Sequence, residues 1–296
     1  MKSRRTFVSI QQWIMTKTTL SANGKLLDLS MPIIMGILNV TPDSFFDGGK
    51  YHHIDIALEQ VSKMVQAGAA IIDIGGMSSR PGAELIPVEE ESKRVIPILK
   101  EIRSHFPDIW ISIDTIRSEL VAEAAHHGMD MVNDISAGGI DPNMFRVVGE
   151  LGLPYILMHM QGVPTNMQLS PHYEDIMQEV LRFLIRRARS LKEYDVKDVI
   201  IDPGFGFGKT VEDNYLLLQN LHLLKILDLP ILVGISRKSM ICKVLDVSPQ
   251  HALNGSSALH MVALQQGAKI LRVHDVQEAK EVIDLFLQFN TPLRSS

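Results

Sequence analysis

Short apolar runs rich in strand-forming residues recur along the chain. Eight of them lie at residues 33–39, 69–75, 108–114, 130–136, 154–160, 198–204, 230–236 and 269–275. Most are continuously apolar rather than alternating, which is typical of parallel strands that are buried on both faces. The pattern therefore predicts eight parallel strands.

Stretches with helical spacing of apolar residues lie between these runs. They predict helices at 54–67, 88–105, 117–127, 174–194, 212–226 and 252–266. Three of them stop at a glycine, as helix C-termini prefer. Eight strand–helix units without a linker indicate one α/β domain, a (β/α)8 TIM barrel, with an open doubly wound sheet as the alternative. We assign residues 31–290 to the barrel and residues 1–30 to an N-terminal extension.

Polar residues mark the carboxyl end of each predicted strand. They are Asn39, Asp73, Asp114, Asn133, His159, Asp202, Ser236 and His274. One such residue is usually a helix cap, but the carboxyl ends of barrel strands form a single mouth where catalytic groups gather. Eight polar ends therefore predict a functional site at that mouth.

Composition indicates the cellular compartment and the classes of partner that the protein does not bind. The 296 residues are 46% hydrophobic and 21% charged, with a net charge of −5, which argues against a general nucleic-acid surface. No apolar run approaches the roughly 20 residues of a membrane span. The single Cys242 excludes an internal disulfide framework and suits a reducing compartment. We expect a cytoplasmic protein that binds neither nucleic acid nor membrane.

The segment DPGFGFGKT at 202–210 resembles a nucleotide-binding loop only superficially. A phosphate loop requires a glycine five residues before its Gly-Lys pair, and Pro203 occupies that position. The dinucleotide fingerprint requires a third glycine where Lys209 stands. Both nucleotide interpretations therefore fail.

Taken together, the strand ends and their loops resemble the dihydropteroate synthase family. The matching stretches are MGILNVTPDSFFDGG (35–49), DIGGMSSRPGA (73–83), ISIDT (111–115), NDISAGG (133–139), LMHMQGVPTNMQ (157–168), DPGFGFGKT (202–210), VGISRKS (233–239) and LRVHDV (271–276). The resemblance implies that 6-hydroxymethyl-7,8-dihydropterin diphosphate condenses with 4-aminobenzoate to give 7,8-dihydropteroate and pyrophosphate. It also implies Mg²⁺ as cofactor, a homodimer and inhibition by sulfonamides.

The leaving diphosphate carries a high charge, and the resemblance assigns three residues to it. It implies that Asn39 binds Mg²⁺, a metal that takes few protein ligands beside waters and phosphate oxygens. It implies that Arg272 and His274 hold the diphosphate. These two residues are two positions apart on the last strand, so their side chains should point to one side. The alternative is a surface arginine beside a capped histidine.

The pterin ring presents donors beside a carbonyl, and a carboxylate can accept two such bonds side by side. By resemblance Asp202 and Asn133 grip this edge. Asp114 contacts the pterin and favours the positive charge that grows on it, Lys238 lies between the two substrates, and Phe207 packs on the ring. As turn or helix-start residues, Asp202 and Asp114 also have purely structural explanations. The predicted catalytic residues are Asp114, Lys238 and Arg272.

The aminobenzoate needs a flat apolar slot with a few donors. By resemblance this slot and the lid over it comprise Thr41, Pro42, Asp43, Phe45, Ser79, Arg80, Pro81, Phe205 and Ser239. The loops that carry most of these residues are rich in Gly, Pro and Ser, and we expect them to exclude water from the diphosphate. The amine of aminobenzoate is itself the nucleophile, so we predict a largely dissociative substitution without a Ser-His or Cys-His pair.

Three other functions stay open at this point. A methyltetrahydrofolate–corrinoid methyltransferase would share the pterin contacts but gives no reason for SSRP, SRKS and RVH. A barrel aldolase would use Lys238 as a Schiff base. A non-catalytic paralogue that binds pterin is conceivable because Met77 stands where the family commonly has Glu.

Ser79 stands where the family commonly has Thr, and Phe46 where it has a small Ser. Ser79 lacks a methyl beside the aromatic slot, worth up to about 0.8 kcal/mol of burial. We expect activity to persist with an altered aminobenzoate affinity or sulfonamide response. The variant Ser79→Thr should change the Michaelis constant for aminobenzoate or the inhibition constant of a sulfonamide, and unchanged constants would refute this expectation.

Overall fold

The computed structural model describes residues 18–41, 50–77, 85–162, 167 and 171–291. The strands are β1 (Thr19–Ala22), β2 (Lys25–Asp28), β3 (Ile33–Asn39), β4 (Ile71–Gly75), β5 (Trp110–Asp114), β6 (Met131–Asp134), β7 (Tyr155–Met158), β8 (Val199–Asp202), β9 (Leu232–Val233) and β10 (Ile270–Val273). The α-helices are α1 (Lys50–Gln66), α2 (Val88–His105), α3 (Ser118–His126), α4 (Met144–Leu151), α5 (Ile176–Glu193), α6 (Val211–Gln219), α7 (Ser239–Leu245), α8 (Leu253–Gln266) and α9 (Val276–Asn290).

Strands β3 to β10 form one parallel sheet in the order β8-β7-β6-β5-β4-β3-β10-β9. A parallel bridge between Ile201 and Ile231 brings the two outer strands of this order together. Each of the eight predicted apolar runs contains one of these strands. The prediction of a (β/α)8 barrel is therefore confirmed, and the open doubly wound sheet is wrong.

The six predicted helices correspond to α1, α2, α3, α5, α6 and α8. Helix α6 ends earlier than predicted, at Gln219, and a 3-10 helix follows at Leu221–Leu227. Asn220 explains this break, because its side-chain Nδ2 donates to the Leu216 carbonyl at 2.8 Å and so caps the helix. The sequence analysis missed α4, α7 and α9.

Side chains alternate along each barrel strand and divide it into two environments. One set of positions, including Ile72, Ile113 and Leu157, packs against the surrounding helices. The other set points inward. Its lower layer is apolar and includes Met35, Ile71, Trp110, Met131, Ile156, Ile200, Leu232 and Ile270. Further along the strands the same inward orientation carries polar residues of the mouth. Asp73, Asn133, Asp202 and Arg272 lie two residues beyond the lower layer, and Asn39 and Asp114 lie four residues beyond it.

An antiparallel hairpin, β1–β2, closes the barrel at the end opposite the mouth. Its turn is Asn23-Gly24, with φ of 51° and 74°, and this pair is the preferred turn of a two-residue hairpin. Its apolar side chains, Leu20, Ala22, Leu27 and Leu29, are buried in the same cluster as the lower inward layer. From residue 18 onward the predicted extension is thus part of the folded body, and Asn23-Gly24 was the signal that could have shown it.

Buried polar contacts anchor this hairpin to the barrel. Asp130 is fully buried, and its Oδ2 lies 2.6 Å from both Lys25 Nζ and Arg103 Nη2. Asn23 Nδ2 donates to Asp130 Oδ1 at 3.1 Å. The carboxylate therefore uses both oxygens and is well compensated.

None of the helices in the described ranges is long and apolar enough to span a bilayer.

The hairpin should contribute directly to the stability of the barrel. Leu20 is fully buried, so Leu20→Ala should lower the free energy of unfolding by about 2–5 kcal/mol through lost burial and a residual cavity. Leu26→Ala is the matched control, because Leu26 is 75% exposed on the same hairpin and its loss should cost at most about 0.5 kcal/mol. Urea unfolding gives the free energy of unfolding of both variants. Equal losses in the two would contradict a stabilising role for the buried face of the hairpin.

Candidate functional site

The mouth of the barrel brings together side chains from strands that are far apart in sequence. Arg272 on β10 donates from Nε to Asp73 Oδ2 at 2.7 Å and from Nη2 to Asp114 Oδ2 at 2.8 Å. Asn133 on β6 donates from Nδ2 to the same Asp73 oxygen at 2.9 Å. Three of the predicted strand ends, Asp73, Asp114 and Asn133, thus form one hydrogen-bonded network with the predicted diphosphate arginine.

Asp73 lies deeper than the sequence analysis placed it. It is the third of five residues of β4, it is fully buried, and its Oδ1 has no hydrogen-bond partner among the residues that the structure describes. Asp114, the last residue of β5, is 12% exposed and faces the opening. Arg272 therefore bridges one deep and one superficial carboxylate.

This arrangement sets the charge of Asp114. Burial raises its pKa to about 7, Arg272 opposes this shift, and the negative charge of Asp73 adds to it. The carboxyl group of Asp114 thus titrates near neutral pH in the free protein.

A second group forms around the end of β8. Asp202 is buried, and its Oδ1 accepts a hydrogen bond of 2.7 Å from Gly204 N. Burial raises the pKa of this carboxyl group, while the charge of Lys238 acts in the opposite direction. Lys238 Nζ donates to the Phe205 carbonyl at 2.5 Å and lies 4.6 Å from the centroid of the Phe207 ring. Burial lowers the pKa of Lys238 to about 8, against the influence of Asp202.

Lys209 holds the glycine-rich loop from below. Its Nζ is buried, donates to the carbonyls of Gly204 (2.8 Å) and Phe207 (3.0 Å), and lies 3.0 Å from His159 Nδ1. Burial and the nearby ammonium lower the pKa of His159 to about 2, so the neutral ring can accept this bond. The His159 strand end therefore supports the loop.

The turn that presents Lys238 is fixed by an ion pair. Arg237 has a positive φ of 57°, and its guanidinium binds Asp275 through Nε (2.8 Å) and Nη2 (2.5 Å). Its backbone N–H donates to Ser256 Oγ at 3.0 Å. These bonds tie the turn to α8 and to the start of α9, and they orient the following lysine.

Other predicted site residues lie at the rim. Asn39 is exposed at the end of β3, and a Cβ built on Gly75 would lie 3.6 Å from its Oδ1 and 3.9 Å from Asp114 Oδ2. His274 is exposed, with Nδ1 3.1 Å from Ser236 Oγ. Ser239 is exposed at the start of α7.

Thr41 follows β3 and is half-buried. Phe205 differs from the expectation for the aminobenzoate slot. Its ring is fully buried in the main core, and only its backbone carbonyl is directed to the site, where it binds Lys238. The remaining predicted lid residues lie outside the described residues; they are Pro42, Asp43, Phe45, Ser79, Arg80 and Pro81.

Sequence reasoning assigned no role to Asp73, Lys209 or Arg237. Asp73 was recognised as a strand-end residue, but its depth depends on the register of β4. Lys209 was noticed only because it fails a nucleotide motif. Arg237 stands within SRKS beside the predicted lysine, and its partner Asp275 follows RVH directly.

Comparison with known proteins agrees with the architecture and with the family that the sequence resembles. Residues 35–274 match the model of a family described as pterin binding enzymes. The dihydropteroate synthase of Haemophilus influenzae is 48% identical over 269 residues, covering 90% of this chain and 97% of that protein. The corresponding protein of Escherichia coli K12 is 46% identical over 266 residues, covering 89% and 94%.

Solved structures of such enzymes superimpose closely. The Yersinia pestis dihydropteroate synthase in a sulfonamide drug complex has a TM-score of 0.87 at 44% identity, covering 93% of this chain and all of that chain. The Xanthomonas albilineans dihydropteroate synthase with 4-aminobenzoic acid has a TM-score of 0.87 at 38% identity, covering 93% and 99%.

Proposed function

Because the chain belongs to the pterin binding enzymes and, among them, to the dihydropteroate synthases of folate biosynthesis, we propose how its barrel mouth performs that synthesis. The substrates are 6-hydroxymethyl-7,8-dihydropterin diphosphate and 4-aminobenzoate, and the products are 7,8-dihydropteroate and pyrophosphate. The observation that carries this proposal is the convergence of Asp114, Asn133, Asp202, Lys238 and Arg272 on one mouth.

Asp202 and Asn133 bind the pterin. Asp202 is buried and feels the charge of Lys238, and its carboxylate accepts the donors of the amino-pyrimidinone edge. Lys238 Nζ lies over the Phe207 ring. From there the ammonium reaches a polar atom of the pterin, and the Phe207 ring packs against the apolar face of the pterin. The small-molecule substrates therefore enter a site made from strand ends.

The methylene carbon loses its bond to the diphosphate oxygen, and pyrophosphate leaves with the electron pair. Arg272 and His274 stabilise the charge of the departing anion, as electrostatic groups do most effectively in a site shielded from water. Asp114 stabilises the positive charge that the pterin and its methylene acquire. The aminobenzoate nitrogen then attacks this carbon and releases a proton.

Asn39 fits a magnesium ion that is held mainly by the substrate. Its exposed amide oxygen is a hard ligand, and no group of three or more His, Cys, Asp or Glu side chains within the described ranges forms a site of its own. Mg²⁺ bound there would neutralise phosphate charge during departure of pyrophosphate. A homodimer, a cytoplasmic location and inhibition of this chain by sulfonamides stay predictions.

Pyrophosphate release tests the proposed reaction. Release should require both substrates and Mg²⁺, and a protein that binds pterin without releasing pyrophosphate would be a non-catalytic paralogue. Positional isotope exchange within the diphosphate, measured without aminobenzoate, should reveal early cleavage of the carbon–oxygen bond. Exchange that depends strictly on the amine would contradict the dissociative order.

The free enzyme should show a narrow pH profile of kcat/KM for the pterin substrate. Asp114 must be ionised, so activity falls as pH drops below its pKa of about 7. Lys238 must be protonated. Activity is therefore retained at pH values below the Lys238 pKa of about 8, and it falls about tenfold per pH unit above that value.

The variant Lys238→Arg identifies the alkaline limb of this profile. A guanidinium stays charged, so the limb near pH 8 should disappear even though the changed geometry lowers the overall rate. Lys280→Arg is the matched control, since Lys280 pairs with Asp284 on the remote helix α9. A limb that persists near pH 8 in Lys238→Arg would assign it to another group.

A further inference from the structure

One carboxylate oxygen connects two of the residues that bind substrate. Asp73 Oδ2 accepts from Arg272 Nε at 2.7 Å and from Asn133 Nδ2 at 2.9 Å. Asp73 comes from β4, Asn133 from β6 and Arg272 from β10. A single buried group thus fixes side chains from two other strands.

Asp73 differs from the buried carboxylate at the opposite end of the barrel. Asp130 is equally inaccessible, but both of its oxygens are hydrogen-bonded, with Lys25, Arg103 and the Ile111 N–H at one oxygen and Asn23 at the other. Asp73 Oδ1 has no such partner in the part of the chain that the structure describes. An incompletely satisfied buried charge is costly, and such departures from good packing are expected at functional sites.

The bonds to Asp73 determine how its partners face the mouth. Arg272 has a rigid planar fork, and Asp73 on Nε together with Asp114 on Nη2 fixes the plane of that fork. The Asn133 amide has a donor, Nδ2, and an acceptor, Oδ1. The hydrogen bond from Nδ2 to Asp73 fixes the orientation of the amide and therefore the direction in which Oδ1 points. Its Oδ1 therefore stays available as an acceptor for a ligand.

We propose that Asp73 is a positioning residue that orients Arg272 and Asn133 for the pterin diphosphate. The proposal rests on the function given above and adds a residue to it. Both orientations exist before substrate arrives, so the side-chain ordering needed for binding is already complete in the free enzyme. Asp73 acts through its two partners and needs no contact with substrate.

The variant Asp73→Asn tests this role, because it keeps the size of the side chain and removes the charge. The neutral amide oxygen of asparagine is a weaker acceptor than the carboxylate of Asp73. It should not hold both donors, so Arg272 or Asn133 should lose its fixed orientation. We expect the dissociation constant for the pterin diphosphate, measured by calorimetry without aminobenzoate, to rise about 100-fold, and kcat/KM to fall similarly. The KM for aminobenzoate should change by no more than about twofold.

Asp130→Asn is the matched control, since it also neutralises a buried carboxylate that binds an arginine. It should lower the urea midpoint of unfolding while leaving the pterin dissociation constant within about twofold of the wild type. A purely structural role of Asp73 would reduce the fraction of molecules that bind without changing the dissociation constant of the rest. Asp73→Ser provides a second variant with the same expected result if Asp73→Asn does not fold.

Two outcomes would overturn the inference. One is a pterin dissociation constant in folded Asp73→Asn or Asp73→Ser that matches the wild type, and the other is an equal loss in Asp130→Asn. Failure of the proposed function is distinguishable, because the wild type itself would then neither bind the pterin diphosphate nor release pyrophosphate.

Discussion

Mutual compensation of buried charges is the constraint on which the mouth of this barrel depends. Asp73, Asp114 and Asp202 stand close to Arg272 and Lys238 in a site largely removed from water. Each desolvated ion costs several kcal/mol unless its partners offset that cost, so no member can be removed without leaving another charge uncompensated. Burial moves the pKa values of Asp114 and Lys238 toward neutral pH, and the opposite charges of Arg272 and Asp202 limit these shifts.

This charged layer is possible because the layer beneath it is apolar and closed. Inward side chains such as Ile71 and Trp110 fill the lower barrel, and the hairpin β1–β2 covers them from the far end. At this floor the buried Asp130 is hydrogen-bonded through both of its oxygens. The mouth, two to four residues higher on the same strands, can then carry the polar groups to which we assign the chemistry.

The sequence was sufficient for the architecture and for most strand-end residues, because continuous apolar runs and helical periodicity are local signals. It could not predict the depth of Asp73, which depends on how β4 pairs with its neighbours, or the burial of the Phe205 ring, since a loop residue gives no period to follow. Helices α4 and α7 have only eight and seven residues, too few to show a helical period clearly, whereas the apolar spacing of the 15-residue α9 was a signal that the sequence analysis overlooked. The hairpin was missed for another reason: its Asn23-Gly24 turn was present but stood within a segment treated as an extension.

The segment at 202–210 resembles a phosphate-binding loop in sequence, but its lysine points in the opposite direction. In a phosphate loop the lysine faces the ligand, whereas Lys209 is turned into the protein and binds carbonyls of its own loop. A Cβ at Gly204 would lie 1.9 Å from the His159 carbonyl, so the chain can make this close turn only with glycine. With its carbonyls held from below, the loop offers the Phe205 carbonyl and the Phe207 ring to Lys238. The lysine that we propose to meet the substrate is therefore located by a second lysine that is turned away from the mouth.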